Sequence, residues 1–316
     1  MIIPAGSEAK ISIVIPVFNE EAMITLLLER LAAVVGKLPQ YQWELVLVDD
    51  GSSDRSVERI LAQSSLFPGT VLLRQFSRNF GHQAALLAGL EKASGEAIII
   101  IDADLQDPPE MFATFLEHYR LGYDVVYGVR AKREAGFVMN LAYKSFYKIF
   151  QMMANIDIPL DAGDFSLISR RTVRVILQMP ERDILLRGMR SWVGFRQIGL
   201  PYDRPDRLAG ETKYTLTKLV RLASSAFFGY SSLPLRISTT CGLGAVLVGL
   251  IYGTYALYGK LIANHNPPGW TSLIIIVLFL GGAQLISVGI LGEYVGRIYK
   301  QALSRPLYVV AEDHAR

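Results

Sequence analysis

Asp102 and Asp104 follow four consecutive isoleucines at positions 98–101. On an extended segment residues i and i+2 point to the same side, so both carboxylates can face one point. Hard oxygen ligands of this kind suit a divalent cation; Mg²⁺ commonly takes one or two carboxylates together with substrate phosphates. Gln106 can add an amide oxygen. The triplet also reads as a polar turn, because D-x-D patterns are short and common. The next four residues, Asp107-Pro108-Pro109-Glu110, have another logic. An Asp N-cap, a Pro at the first helical position and a Glu at the third make a capping set.

Two weaker clusters are Pro16-Val17-Phe18-Asn19-Glu20 and Asp49-Asp50-Gly51-Ser52. Alone, each is ordinary turn and cap chemistry. On adjacent strand ends they can together hold a nucleoside, with a carboxylate for base N–H groups or ribose hydroxyls and backbone for the base edge. The chain lacks GxxxxGK[ST], which excludes a P-loop, and lacks a GxGxxG after a strand, which argues against a dinucleotide site. Cys241 is the single cysteine, so no internal disulfide framework or multi-cysteine metal site exists. His82, His118, His265 and His314 are scattered, against a histidine-built zinc site. His82 reads as a helix-start residue without chemistry.

The elements that must position these groups alternate. Lys10–Val17, Glu44–Val48, Val71–Arg74, Ala97–Ile101 and Asp124–Tyr127 read as strands. Glu20–Ala33, Arg55–Gln63, Gly81–Ala93 and a segment from Asp107 to Tyr119 read as helices. Alternation of this kind predicts an α/β domain with a mostly parallel sheet covered on both faces. Ligands in such sheets bind beyond the carboxyl ends of the strands, where the polar clusters fall.

The remainder is different in character. The chain is 51% hydrophobic and only 19% charged, too apolar for disorder and high for a wholly soluble protein. A net charge of +3 gives no strong field for nucleic acid. Two nearly charge-free runs, Ile237–Gly259 and about Trp270–Gly292, are each long enough to cross ~30 Å of hydrocarbon. Lys260–Gly269 reads as the turn between them. Lys213, Lys218, Arg221 and Arg236 precede the pair, and Arg297, Lys300 and Arg305 follow it. The positive-inside rule then places both ends in the cytoplasm. No signal-peptide pattern opens the sequence. Residues 214–233 read either as a basic interfacial helix on an anionic leaflet or as an amphipathic helix on the soluble domain. The expected organisation is a cytoplasmic domain over residues 1–213, a juxtamembrane helix over 214–233, a two-helix transmembrane hairpin over 234–300 and a tail over 301–316. The expected location is the plasma (inner) membrane, multi-pass. Residues 305–310 (RPLYVV) can return to pair with a strand of the domain.

The ordered set IVIPVFNE, LVLVDDGSSDRS, SRNFGHQAALLAG and IIIIDADLQDPPE resembles the nucleotide-sugar-binding half of glycosyltransferase family 2, which has the GT-A fold. VVYGVR, KSFYKI, DAGDFSLISRR, LRGMRSWVGF, PYDRPDRLAGETKYTLTKL and LGEYVGRIYKQALSRPLYVV extend the resemblance to polyprenyl-phosphate glycosyltransferases of the GtrB type, over nearly the whole chain. The resemblance implies that Pro16, Phe18, Glu20 and Asp50 line the nucleoside pocket, with Arg78 and Asn79 near the donor. It implies that Asp102, Asp104 and Gln106 hold Mg²⁺ or Mn²⁺ against the diphosphate, and that Asp164 faces the reacting sugar. Arg130, Arg133, Lys144, Arg207 and Lys213 would meet the phosphates, the acceptor's above all. Without the resemblance, Arg130, Arg133 and Lys144 read as solvated surface charge, and Arg207 as a partner of Asp203 or Asp206.

The implied activity is inverting transfer of a hexose, glucose from UDP-glucose first, to undecaprenyl (polyprenyl) phosphate. Related donors, UDP-4-formamido-arabinose or GDP-mannose, and a non-catalytic membrane scaffold are the alternatives. A processive polysaccharide synthase is set aside, because Arg190-Ser191-Trp192 lacks the Gln of a Q-x-x-R-W motif. Gly242, Gly244, Gly249, Gly281, Gly282 and Gly289 permit close helix packing and hence a homo-oligomer.

Overall fold

The computed structural model describes residues 9–130, 162–182, 184–203, 233–261 and 269–316. Arg133, Lys144, Arg207, Lys213 and nearly all of the expected juxtamembrane helix lie outside the described residues. The chain divides into two units.

The first unit is built on an eight-stranded sheet of order β7-β5-β6-β4-β1-β2-β3-β8. Its strands are β1 (Lys10–Val17), β2 (Gln42–Asp49), β3 (Thr70–Phe76), β4 (Ala97–Ile100), β5 (Val125–Arg130), β6 (Ala162–Ser169), β7 (Gln197–Tyr202) and β8 (Val310–Ala315). The β1–β2, β1–β4, β2–β3 and β5–β7 pairs are parallel. β6 runs antiparallel to β4 and β5, and β8 antiparallel to β3. The expected α/β class with a mostly parallel sheet is therefore observed.

Strands buried on both faces read as continuous apolar runs, as β1 and β4 do. Successive side chains serve opposite faces. Ile11, Ile13, Ile15 and Val17 pack with α1 (Ile24–Val35), α2 (Ser56–Gln63) and α4 (Phe112–Arg120). Val14, Val46, Val48, Ile98 and Ile100 pack with α3 (His82–Lys92), α5 (Arg170–Gln178) and α6 (Leu186–Val193). Gly89 lets α3 approach β1, since a Cβ there would lie 2.3 Å from Val14 Cγ1.

β5 is longer than expected, and β6, α5, α6 and β7 were not resolved by periodicity. The returning C-terminal strand forms, at 310–315 rather than 305–310. It pairs with β3 through the Cα partners Leu73 and His314, and Arg74 and Asp313. The backbones of Val71 and Arg316 exchange hydrogen bonds of 2.8 and 2.9 Å.

The second unit contains two long helices, α7 (Leu233–Leu261) and α8 (Trp270–Ala302), which contact each other. They contain the two expected apolar runs. Their apolar side chains are exposed, Leu243 at 72% and Leu285 at 75%. Among the described residues one stretch, Phe279–Ala302, is long and apolar enough to cross a membrane by length and composition. Among the described residues, a Cβ on any of Gly242, Gly244, Gly249, Gly281, Gly282 or Gly289 would meet nothing within 4 Å.

Candidate active site

β1, β2 and β3 step outward on one side, and the next strand, β4, returns to the other side of β1. The order reverses there, and a crevice opens beyond the carboxyl ends of β1 and β4.

Three loops are stitched together on the β1–β2–β3 side. Pro16 is buried in the sheet opposite Val48, and Phe18 is exposed at 45%. The Asn19 amide N–H donates to Ser52 Oγ at 2.9 Å, and the Ser53 N–H donates to Asn19 Oδ1 at 2.8 Å. The Glu20 N–H donates to Ser56 Oγ at 2.9 Å. Asp50 is buried, and its carboxylate accepts the Phe80 N–H at 2.7 Å and the Gly81 N–H at 2.9 Å. Burial raises the Asp50 pKa; the two amides oppose that rise without cancelling it. Its carboxylate thus serves loop geometry. Arg78 lies over the Phe80 ring at 3.9 Å and donates to the Asn79 carbonyl at 2.9 Å. Pro16, Phe18, Glu20, Asp50, Arg78 and Asn79 therefore share one sheet edge.

Gly51 is the tightest point. Its φ is +71°, and a Cβ would sit 2.4 Å from the Arg78 carbonyl carbon and 2.7 Å from the Asn79 nitrogen. Neither backbone atom can swing aside. Gly51→Ala is expected to cost ~1–3 kcal/mol of stability. It should also displace the 77–81 loop and with it the Phe80 and Gly81 amides held by Asp50. Thermal unfolding checks the first effect and amide exchange at Phe80 and Gly81 the second.

The segment after β4 departs from the expected extended geometry. The strand ends at Ile100, residues 103–105 turn, and Leu105 has φ 55°. Burial still alternates: Asp102, Asp104 and Gln106 are half-buried, while Ala103, Leu105 and Asp107 are buried. The turn, held by the Gln106 N–H on Asp104 Oδ1 at 3.1 Å, sets the carboxylates in place of a strand.

The capping assignment of Asp107 and Glu110 is corrected. Pro108, with no side-chain cap, precedes the first turn at Pro109–Met111. Asp107 is buried and accepts the Tyr202 hydroxyl. Glu110 makes a two-bond ion pair with Arg30, at 3.0 and 2.9 Å. Arg130 in turn hydrogen-bonds Tyr202; burial opposes its charge, and Tyr202, Asp107 and Asp102 more than offset that. Its guanidinium reaches Gly163, where a Cβ would lie 3.4 Å from Nη2.

Asp164, on β6, is 17% exposed at its side chain. Gln83 Nε2 donates to Asp164 Oδ2 at 2.8 Å, while Gln83 Oε1 accepts the Leu186 N–H at 2.8 Å. One amide thus ties α3, β6 and the start of α6 together. His82 is not without chemistry, contrary to expectation. Its Nε2 is 3.5 Å from Asp164 Oδ2 and 3.7 Å from Asp102 Oδ1. Burial would lower the His82 pKa, and the two carboxylates raise it instead. Burial would raise the Asp164 pKa, and His82, Arg187 and Gln83 hold it below the ordinary carboxylate range. Asp102 is pushed up to about 6 by burial first, then by Asp107, Asp164 and Asp104, against His82. Arg190 is buried over Tyr127 at 4.7 Å, and burial lowers its pKa to about 10.

Asp102 Oδ1 and Asp164 Oδ1 are buried without a hydrogen-bond partner. Buried carboxylate oxygens normally accept a hydrogen bond, so beyond the His82 ion pair each of these two can still take a cation or a donor. Among the described residues no three His, Cys, Asp or Glu side chains form a closed metal cage. Asp102, with one carboxylate oxygen lacking a hydrogen-bond partner, and the neighbouring charge of Asp104 fit Mg²⁺ or Mn²⁺, which keep room for water and phosphate.

Sequence reasoning missed His82, Gln83, Tyr202 and Asp107. Their signals existed only as neighbours of Asp102 and Asp164, because α3, β6 and β7 are far apart in the chain.

Residues 12–177 match the family model described as glycosyl transferase family 2, and residues 233–298 match the GtrB C-terminal hairpin. The glycosyltransferase YkcC of Bacillus subtilis is 43% identical over 304 residues, 96% of this chain and 94% of that one. A prophage bactoprenol glucosyl transferase homolog of Escherichia coli is 39% identical over 95% of this chain and 98% of its own. The bactoprenol glucosyl transferase of Shigella phage SfII is 38% identical over 96% and 98%. Among solved structures, glucosyl-3-phosphoglycerate synthase from Mycobacterium tuberculosis covers 70% of this chain and 78% of its own at 23% identity, TM-score 0.44.

Proposed function

This chain belongs to glycosyltransferase family 2, and on that premise we propose that it transfers a hexose from a nucleotide sugar to a polyprenyl phosphate. Glucose from UDP-glucose is the donor favoured by the relatives named as bactoprenol glucosyl transferases. The observation that carries the reading is the meeting of Asp102 and Asp164 around His82 beyond the carboxyl end of β4, each with a buried oxygen that has no hydrogen-bond partner.

A lipid monophosphate has its second pKa near ~6 and is largely a dianion at neutral pH, so it needs no strong base. One of its oxygens bonds to sugar C1 while the C1–O bond to the nucleoside diphosphate breaks, with inversion. Asp102 and Asp104, with Gln106, would hold Mg²⁺ or Mn²⁺. The cation would neutralise charge on the departing diphosphate. Asp164, kept anionic by His82, Arg187 and Gln83, would stabilise the positive charge that grows at C1. Arg130 beside Gly163, with Arg133, Lys144, Arg207 and Lys213, would hold the phosphates in line.

The membrane reading takes support from connectivity. β8 lies in the same sheet as β1 to β7 although α7 and α8 intervene. A chain that leaves and rejoins one sheet crosses a bilayer an even number of times. Two spans satisfy that and one does not. The basic flanks then put the catalytic domain in the cytoplasm, at the inner membrane. A homo-oligomer would employ the glycines left open on α7 and α8.

The test offers the purified protein UDP-glucose, UDP-4-formamido-arabinose and GDP-mannose, with undecaprenyl phosphate or undecaprenol and Mn²⁺. Mass analysis should find glucosyl phospholipid from UDP-glucose and nothing on undecaprenol. Another sugar on the lipid would change the donor; equal transfer to undecaprenol would overturn the acceptor. A pH dependence follows from Asp102, at about 6. Its raised pKa means the carboxylate takes up a proton as pH falls through that value, in competition with the cation. The Mn²⁺ concentration for half-activation should rise roughly tenfold per pH unit below about 6. A constant half-activation between pH 5 and 7.5 would contradict it.

A further inference from the structure

The loop of residues 77–81 joins β3 to α3 and touches the candidate site at several points. Its amides at Phe80 and Gly81 are held by Asp50, and its backbone at Arg78 and Asn79 packs on Gly51. Its outer side rests on the chain that follows α8. The Ser77 N–H donates to the Val309 carbonyl at 3.0 Å. The Tyr308 ring stacks on Phe76 with centroids 4.8 Å apart and planes 13° apart. Phe76 meets Phe80 edge to face at 5.7 Å, and Phe80 carries the Arg78 guanidinium at 3.9 Å. Tyr308 also donates its hydroxyl to Glu91 at the far end of α3.

These contacts form one line from the tail to the Arg78 guanidinium. A cavity of about 390 Å³ lies between α3, α5 and the tail, bordered by Leu87, Glu91, Leu177 and Pro306 to Tyr308. The ring stack is the side-chain part of the contact, beside the Ser77–Val309 hydrogen bond and the pairing of Phe76 with Val310. Further along, Asp313 anchors the tail by ion pairs to Arg74 and Lys92, each at 3.0 Å.

We propose that Tyr308 is a positioning residue for the nucleoside diphosphate, bracing the 77–81 loop through Phe76 and Phe80 so that Arg78 is held at the donor. The proposal rests on the family reading above. It makes the tail behind the apolar helices part of the donor site, an assignment that neither the motifs nor the relatives supply.

The full-length protein, in detergent, is titrated with UDP and Mn²⁺ by calorimetry, as wild type, Tyr308→Leu and Tyr308→Phe. Leucine keeps apolar volume and loses the stack; phenylalanine keeps the stack and loses the hydroxyl's bonds to Glu91 and Arg74. Tyr308→Leu should weaken UDP binding about 5- to 10-fold, the scale of one aromatic pair. Its donor KM should rise in step, while kcat and the acceptor KM stay within about twofold. Tyr308→Phe should bind UDP like wild type. Unchanged UDP binding in Tyr308→Leu overturns the proposal, as does a loss that tracks only the folded fraction in thermal unfolding. A wild type that binds no UDP overturns the donor reading itself, which separates the two failures.

Discussion

Asp104→Asn should lower kcat for sugar transfer by about a thousandfold while the protein unfolds at nearly the wild-type temperature. Losing preorganised electrostatic stabilisation of a leaving group costs ~10²–10³ in rate, and a bound cation is the strongest such stabiliser. Asparagine keeps the side-chain oxygen that accepts the Gln106 N–H, so the turn at residues 103–105 survives. What disappears is one negative charge from the pair with Asp102. The loss should deepen as Mn²⁺ is lowered and recover only partly at saturation. Steady-state transfer at several Mn²⁺ concentrations reads both. Wild-type kcat with bound metal would remove Asp104 from the cation's ligands.

Asp164→Asn should cost about a hundredfold or more in kcat and leave both KM values within a few-fold. The amide oxygen can still take the Gln83 Nε2–H now at 2.8 Å, so α3, β6 and α6 remain tied. The NH₂ group then stands where Oδ1, which has no hydrogen-bond partner, is now, and the charge proposed to face the reacting carbon is gone. An interaction made only in the transition state lowers kcat and kcat/KM together. A rise in donor KM at unchanged kcat would instead make Asp164 a ground-state binding group. His82 provides a second reading of the same variant. Its pKa is raised by Asp164 and Asp102, so losing the Asp164 charge should bring it down, as imidazole NMR titration would register.

Local pattern carried much of this protein. The four-isoleucine run, the PVFNE and DDGSS clusters and the D-x-D triplet all lie at strand ends, so alternation alone put them on one edge. It failed where geometry depends on residues distant in sequence. Asp107 looks like a cap beside two prolines, and only β7, some 95 positions on, brings the Tyr202 hydroxyl that claims it. His82 looks like a helix start because its partners arrive elsewhere, Asp102 in the turn after β4 and Asp164 on β6. β6 itself was hidden by an interrupted alternation, Ala-Gly-Asp-Phe-Ser, in which a site residue sits within the strand. The tail was legible as an apolar stretch, and its register along β3 was not, because pairing partners more than 200 positions apart leave no local trace.

The most direct test of the account follows label from UDP-[¹⁴C]glucose into the lipid phase with purified protein, undecaprenyl phosphate and Mn²⁺, before and after a chelator. The account predicts label in the lipid, loss of transfer on chelation and its return when Mn²⁺ is restored. Transfer that continues undiminished under chelation would contradict the cation at Asp102 and Asp104. No transfer from any nucleotide sugar, by protein that is folded, would contradict the enzyme itself.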